Sequence, residues 1–396
     1  MTFDNLSIVS EPKLFISVRD RLNSFTESVF SWPIESTSHL SSSGRYHSSL
    51  YQDELESTVT RFTNHNSMRL VPKYIIILIG LPASGKSTVS KHLVKYLRDT
   101  RATTNIRCKT FNAGDVRRKQ KTMELTDDPT KDIFDPKNSD KKEEYARTAF
   151  NEALADLDND ICDVGIFDAT NSTKQRRKYL FSEIKNFNRK VKSKISISPI
   201  ILHVTCSDKK FIRYNIHQKS SNADYFDKQY DLSVKDFAKR LKQYYTQFSP
   251  YTMDEFNHIL SPSLHDSHHG TFYFHVANAG LTSTTNIVEY SNFASLETRN
   301  LINTLHHFTS DYVAMFGSQY ISKVKNFFTF SEIVNSNKLN IRKSFKQFSR
   351  LKLLNRVIND NYFKKLKNFH LINNITQRDQ EPFRFQLQFY DNQVSQ

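Results

Sequence analysis

From residue 74 onward, short apolar runs alternate with amphipathic stretches. Five runs, at 74–79, 106–111, 163–167, 200–205 and 271–276, have the length and the β-branched and aromatic content of buried strands. Helical patterns lie between them. The first places Val89, Leu93 and Leu97 four residues apart, so one face can pack on a sheet. This alternation predicts an α/β fold: a doubly wound, mostly parallel sheet with flanking helices. Beyond Asn286, an amphipathic stretch holding Ile287, Leu296, Leu301 and Leu305 leads into a basic, Phe-rich segment over 327–369. Both predict helices that cover the core. Residues 1–70 differ, with 15 serines, the run Ser41, Ser42 and Ser43 beside Gly44, and apolar periodicity only over 14–30. That composition predicts a largely disordered extension. The expected division is therefore a Ser-rich extension over 1–70, a core domain over 71–280 and a helical, basic extension over 281–396.

Composition narrows the class. A chain of 396 residues can bury a full core. Only 38% of residues are hydrophobic, and the longest apolar run, near 75–79, is far too short to span a bilayer, so no membrane association is expected. The N-terminus lacks the charged, apolar and small-residue segments of a signal peptide. Cys108, Cys162 and Cys206 are far apart and show no CxxC spacing, which supports neither a disulfide framework nor a zinc site. A reducing, cytoplasmic location is expected. The net charge of +15 raises the question of a nucleic-acid partner, but residues 317–396 alone hold 14 Lys and Arg against 5 Asp and Glu. No nucleic-acid motif accompanies this basic tail, so small anionic phosphates are the expected partners instead. Arg21 precedes Ser24 by three residues, and Arg342 and Lys343 precede Ser344, patterns that basophilic protein kinases accept. Phosphorylation would then let such kinases regulate through either extension.

The strongest chemical signal follows the first strand. Gly80, Leu81, Pro82, Ala83, Ser84, Gly85, Lys86 and Ser87 match GxxxxGK[ST], placed directly before the first amphipathic helix. The glycines let backbone N–H groups curl around phosphate oxygens, and the helix N-terminus adds its positive dipole end. Lys86 then reaches the β- and γ-phosphates of ATP, and Ser87 is the expected Mg2+ ligand. The third strand ends in Asp168, and α/β sheets present ligands at the carboxyl ends of their strands. There a carboxylate either shares the magnesium ion or takes the proton of an attacking hydroxyl. The competing reading is a helix cap, although Thr170, Asn171, Ser172 and Thr173 can supply one themselves. His265, His268 and His269 lack partner carboxylates at metal-ligand spacing.

Asp168, Thr170, Asn171, Lys174, Arg176 and Arg177, taken with the 80–87 loop, closely resemble the signature of the 6-phosphofructo-2-kinases. Phe111, Asn112, Gly114, Asp115, Arg117 and Arg118 look like that family's second-strand motif, and the similar region covers about 74–280. The resemblance implies a P-loop kinase in which Arg117, Arg147, Thr170, Arg176, Lys219, Arg240 and Tyr244 bind fructose 6-phosphate. It implies ATP contacts from residues 80–87, Thr88 and Asn215, and catalytic roles for Lys86, Asp168 and Cys206. Lys219 stands with Asp224 and Tyr225 as in the family, yet Asn215 is one residue closer to it than usual. Ser84 replaces an arginine usual in animal members. On its residue type alone, Cys206 reads as a small buried hydrophobe. Arg240 and Tyr244 share a helix face, and planar guanidinium groups suit bidentate phosphate binding. No Arg-His-Gly string of a histidine-phosphatase occurs, the nearest being His268, His269 and Gly270. About 115 residues follow Gly280, too few and too basic for such a domain. The implied activity is thus transfer of the ATP γ-phosphoryl to the 2-hydroxyl of fructose 6-phosphate by a kinase-only member, yielding the glycolytic regulator fructose 2,6-bisphosphate. Two rivals remain: a P-loop kinase for another acceptor, such as a polynucleotide 5′-end, and an ATP-binding regulator without turnover.

Overall fold

Ile75, Ile76, Ile77, Leu78 and Ile79 are fully buried, so strand β1 (Val71–Ile79) lies at the centre of the sheet with both faces covered. The computed structural model describes residues 70–123, 139–190, 194–222, 225, 228–252, 254–256, 271–288, 295–334 and 341–375, all within the unit Met68–Gln396. Of the Ser-rich extension over 1–70 only residue 70 is among them; Ser24 lies outside them, as do Asp224, His265, His268, His269 and the side chain of Ser344.

Strands β2 (Cys108–Asn112), β3 (Val164–Asp168), β4 (Ile195–Thr205), β5 (Thr271–Ala277) and β6 (Thr282–Val288) join β1 in the order β2-β3-β1-β4-β5-β6. The first five strands are parallel, and β6 runs antiparallel to β5. Side chains on β1 alternate between two cores, as a period of two requires. Ile75, Ile77 and Ile79 meet Phe150 and Ala153 of α3 (Ser139–Asp158) and Leu180 and Ile184 of α4 (Lys174–Asn188). Tyr74, Ile76 and Leu78 meet Val89, Leu93 and Leu97 of α1 (Lys86–Asp99) and Leu301 and Leu305 of α7 (Leu296–Ser310). The remaining α-helices among the described residues are α2 (Ala113–Met123), α5 (Lys209–Lys219), α6 (Tyr230–Gln247), α8 (Ser318–Val334), α9 (Ile341–Val357) and α10 (Asp360–Ile375). The doubly wound α/β architecture expected from the alternation is the one observed.

Three details differ from the sequence expectation. Ile287 does not open a helix; it pairs with Phe272 in β6, so the sheet continues past residue 280. Strand β4 begins five residues earlier than expected, because Ser196 and Ser198 are buried beside β1 despite being polar. The basic tail helices do not cover the sheet. They close a third core, in which Phe327, Leu351, Leu354, Phe363 and Leu366 pack on Ile212, Phe237 and Leu241 of α5 and α6. No helix among the described residues is long and apolar enough to cross a membrane.

Candidate active site

The chain leaves β1 through a loop that only particular backbone conformations permit. At Gly80, φ is 151° and a Cβ would stand 2.1 Å from the Val204 carbonyl oxygen, so the residue must be glycine for the loop to pass β4. Gly85 caps α1 in the left-handed region, at φ 96°. Ala83 is also left-handed, at φ 64°. Among the hydrogen bonds that brace the loop, three fix its course. The Gly80 N–H donates to the Thr170 carbonyl at 3.0 Å, Asn215 Nδ2 to the Ala83 carbonyl at 2.7 Å and Lys86 Nζ to the Leu81 carbonyl at 2.7 Å. Ser87 is half-buried and Thr88 exposed in the first turn of α1. A small cavity lies against Leu81, Pro82 and Ser84 of the loop, with His203, Leu241 and Tyr251 on its other walls.

Lys86 is 8% exposed, and burial pushes its amine down to about 7; Asp168 opposes that shift, while Lys219 and Arg240 add to it. Three expected residues from β3, α5 and α6 thus act on the amine of a fourth. Asp168 ends β3 and is 4% exposed. Its Oδ2 accepts from Asn112 Nδ2 at 2.7 Å, across the register pair Asn112–Asp168 of β2 and β3. Asp168 does not cap α4, since the Thr173 side chain does so by accepting from the Arg176 N–H. Asn112 also serves the next helix. Its Oδ1 accepts from the N–H groups of Gly114 and Asp115, capping α2, which carries half-buried Arg117.

Of the other expected residues, Arg147 and Arg176 share one neighbour, Tyr179, and the rest are placed separately. Arg176 makes a bidentate pair with Glu143, at 2.5 Å from Nε to Oε2 and from Nη2 to Oε1. Exposed Arg147 stacks 4.7 Å over the Tyr179 ring, and both arginines act on the Tyr179 hydroxyl. Arg240 lies over Phe237, and Tyr244, one turn on, is half-buried against the third core. Cys206 stands just after β4 on the cavity wall, where burial pushes its thiol far up and keeps it protonated. Asn215 contacts the loop itself rather than standing apart from it.

Two residues that shape this site carry no role on sequence grounds alone. Asn112 has a readable signal, a capping residue immediately before a helix. Arg177 has none beyond its place in the motif. Its side chain is fully buried and donates to Glu255 (2.7 and 2.6 Å), to the Asn171 and Ser249 carbonyls (3.0 and 3.1 Å) and to Pro250 (3.4 Å). It staples the loop after β3 to the segment after α6.

A glycine-bounded loop between a central parallel strand and a helix, with a buried lysine and a carboxylate at the neighbouring strand end, is the arrangement of a P-loop fold. The sequence model of the 6-phosphofructo-2-kinases matches residues 60–291, more than half of the chain. The chain belongs to that family. It is 35% identical over 187 residues to 6-phosphofructo-2-kinase 1 of Saccharomyces cerevisiae, covering 46% of this chain and 21% of that one. It is 30% identical over 182 residues to the fructose-2,6-bisphosphatase of the same organism, covering 45% of this chain and 37% of the relative. The matched part therefore spans well under half of either relative. A crystal structure of a fungal RNA kinase superposes with a TM-score of 0.30 at 12% identity, over 79% of this chain and 99% of that one, too slight a likeness to carry an argument.

Proposed function

We propose that the chain transfers the γ-phosphoryl of Mg-ATP to the 2-hydroxyl of fructose 6-phosphate, giving fructose 2,6-bisphosphate. The observation that carries this reading is the glycine-bounded loop ahead of α1 with Asp168 at the end of the neighbouring strand β3, inside the segment matched by the 6-phosphofructo-2-kinase family. In this reading the loop amides and Lys86 hold the nucleotide's phosphates, and the arginines hold the sugar phosphate in line. The hydroxyl of Ser87 and the carboxylate of Asp168 are hard oxygen donors that suit magnesium, and both would hold it. The ion would draw charge from the phosphate oxygens. Asp168 has a part whether it shares the ion or takes the hydroxyl proton, and either role needs its charge. The 2-hydroxyl oxygen bonds to the γ-phosphorus as the bond to the β–γ bridging oxygen breaks; the hydroxyl proton passes to Asp168 or to solvent, and ADP leaves.

The test supplies Mg-ATP and fructose 6-phosphate and looks for an acid-labile 2-phosphate product. Wild type is expected to make it and Lys86→Met to lose it; folded wild type that makes none defeats the reading. An ATP-binding regulator would instead show nucleotide binding without consumption. A polynucleotide kinase would tolerate Arg240→Ala and Tyr244→Ala with its own acceptor, whereas a sugar-phosphate kinase loses most acceptor affinity.

Lys86 adds a pH signature. Its amine, at about 7, is largely neutral in slightly alkaline solution, and polyphosphate binding favours the charged form. Binding therefore takes up a proton above that value, and ATP affinity falls as pH rises from about 7 to about 9, by at most about tenfold per unit. Calorimetry in buffers of different ionisation heat measures the uptake. Lys86→Arg, always charged, is expected to bind with a flat profile; a wild-type profile equally flat would contradict the assignment.

A further inference from the structure

Asn215 bonds the loop of residues 80–87 through one amide atom and a residue of the C-terminal extension through the other. The Tyr320 hydroxyl, on α8, donates to Asn215 Oδ1 at 2.8 Å, and Asn215 Nδ2 donates to the Ala83 carbonyl at 2.7 Å. The direction is forced. With the amide reversed, Oδ1 would face the Ala83 carbonyl, acceptor against acceptor, so only one orientation satisfies both neighbours. The Tyr320 hydroxyl also lies 3.5 Å from the Phe211 carbonyl, but its single proton serves the shorter bond. Phe211 and Tyr214 hold its ring edge-on at 5.3 and 5.7 Å. Burial pushes the hydroxyl far above its usual value, so it stays a donor at every working pH.

We infer that Tyr320 is a positioning residue for the nucleotide site, setting the phosphate loop through Asn215. The inference rests on the reading of residues 80–87 as an ATP loop. The loop needs such a brace at Ala83, whose left-handed backbone is unfavourable for a residue with a Cβ. Without the hydroxyl, the Asn215 amide can turn, the bond to Ala83 weakens, and nucleotide binding must order the loop itself. Residue 320 lies beyond the family match at 60–291, so the residue that orients Asn215 lies outside the segment that defines the family, while the bonds to the loop itself lie inside it.

Docking of the extension does not depend on this bond. Arg213 Nε donates to the Ile358 carbonyl at 2.8 Å, the Tyr362 hydroxyl to the Ala238 carbonyl at 2.7 Å, and Lys209 pairs with Asp360 at 3.0 Å. Leu351, Leu354 and Leu366 add apolar contact to the same helices. Tyr320→Phe keeps the ring and all of this packing, so it removes only one hydrogen bond.

The experiment uses the full chain. Mg-ATP binding is measured by calorimetry, and the two KM values are measured in the kinase assay. Tyr320→Phe is expected to weaken ATP binding about 5- to 10-fold, the effect of losing one neutral hydrogen bond. The KM for ATP rises in step, while kcat at saturating ATP, the KM for fructose 6-phosphate and the melting temperature stay near wild type. Asn215→Ala weakens ATP binding as well, and the double variant binds no worse than Asn215→Ala alone, because both changes break one relay. Unchanged ATP binding in Tyr320→Phe overturns the inference, as do additive effects in the double variant or an equal rise in both KM values. Wild type that binds ATP but does not phosphorylate fructose 6-phosphate defeats the proposed reaction alone, and the binding data still judge Tyr320. Wild type that binds no ATP overturns both.

Discussion

Replacing Arg177 with methionine is expected to lower the unfolding free energy by about 3–5 kcal/mol, the usual consequence of leaving one member of a buried ion pair alone. The side chain is fully buried, and four acceptors depend on it: Glu255 and the carbonyls of Asn171, Ser249 and Pro250. Urea denaturation checks the magnitude. The reference variant is Arg177→Met with Glu255→Leu, which removes both charges and should recover much of the loss. If the single variant loses less than about 1 kcal/mol, water reaches the pair and the staple is not what holds these loops. A second readout follows from Asn171: its Nδ2 donates to the Leu78 carbonyl at 2.7 Å, and the Thr170 carbonyl receives the Gly80 N–H. Loosening at Arg177 should therefore reach the phosphate loop, and nucleotide binding should weaken in a variant that still folds.

Asp168→Asn is the larger effect on turnover. The substitution keeps an oxygen to accept from Asn112, so the β2–β3 strand ends and the cap of α2 are preserved. What disappears is a charge. If Asp168 shares the metal ion or takes the hydroxyl proton, kcat should fall about 10²- to 10⁴-fold while ATP still binds. Steady-state kinetics beside direct nucleotide binding separates the two quantities. A decrease smaller than tenfold would remove this carboxylate from the chemistry.

The sheet and the loop differ in how openly the sequence displays them. Strand β1 and the glycine-bounded turn are local features: five consecutive aliphatic residues can only be buried on both faces, and the turn's spacing is contained in eight residues. Strand β6 was hidden because it is a Thr-rich edge strand, whose β-propensity is real but whose apolar content is confined to Ile287 and Val288. The start of β4 was hidden by Pro199, which argues against a central strand and which pairs here with Ile75. Asn112 lies within a legible motif, but its hold on Asp168 depends on the pairing of two strands. Arg177 resembles any helix arginine until the fold brings Glu255 beside it. Tyr320 is the extreme case, 105 residues from the amide it orients. Side-chain partners at such separations are decided by packing, and no periodicity or spacing encodes them.

The third core has a consequence for how such a chain can change over generations. Ile212, Ile216, Phe237 and Leu241 of α5 and α6 pack with Leu351, Leu354, Phe363 and Leu366. The two surfaces are shaped to each other, so drift in one is tolerated only with matching drift in the other. An extension acquired from another source would have to bring an equally fitted counter-surface before the helices bearing Asn215 and Arg240 could hold their places. Ancestry in this part of the molecule should then be recorded as paired substitutions across that seam, while the phosphate loop itself stays still.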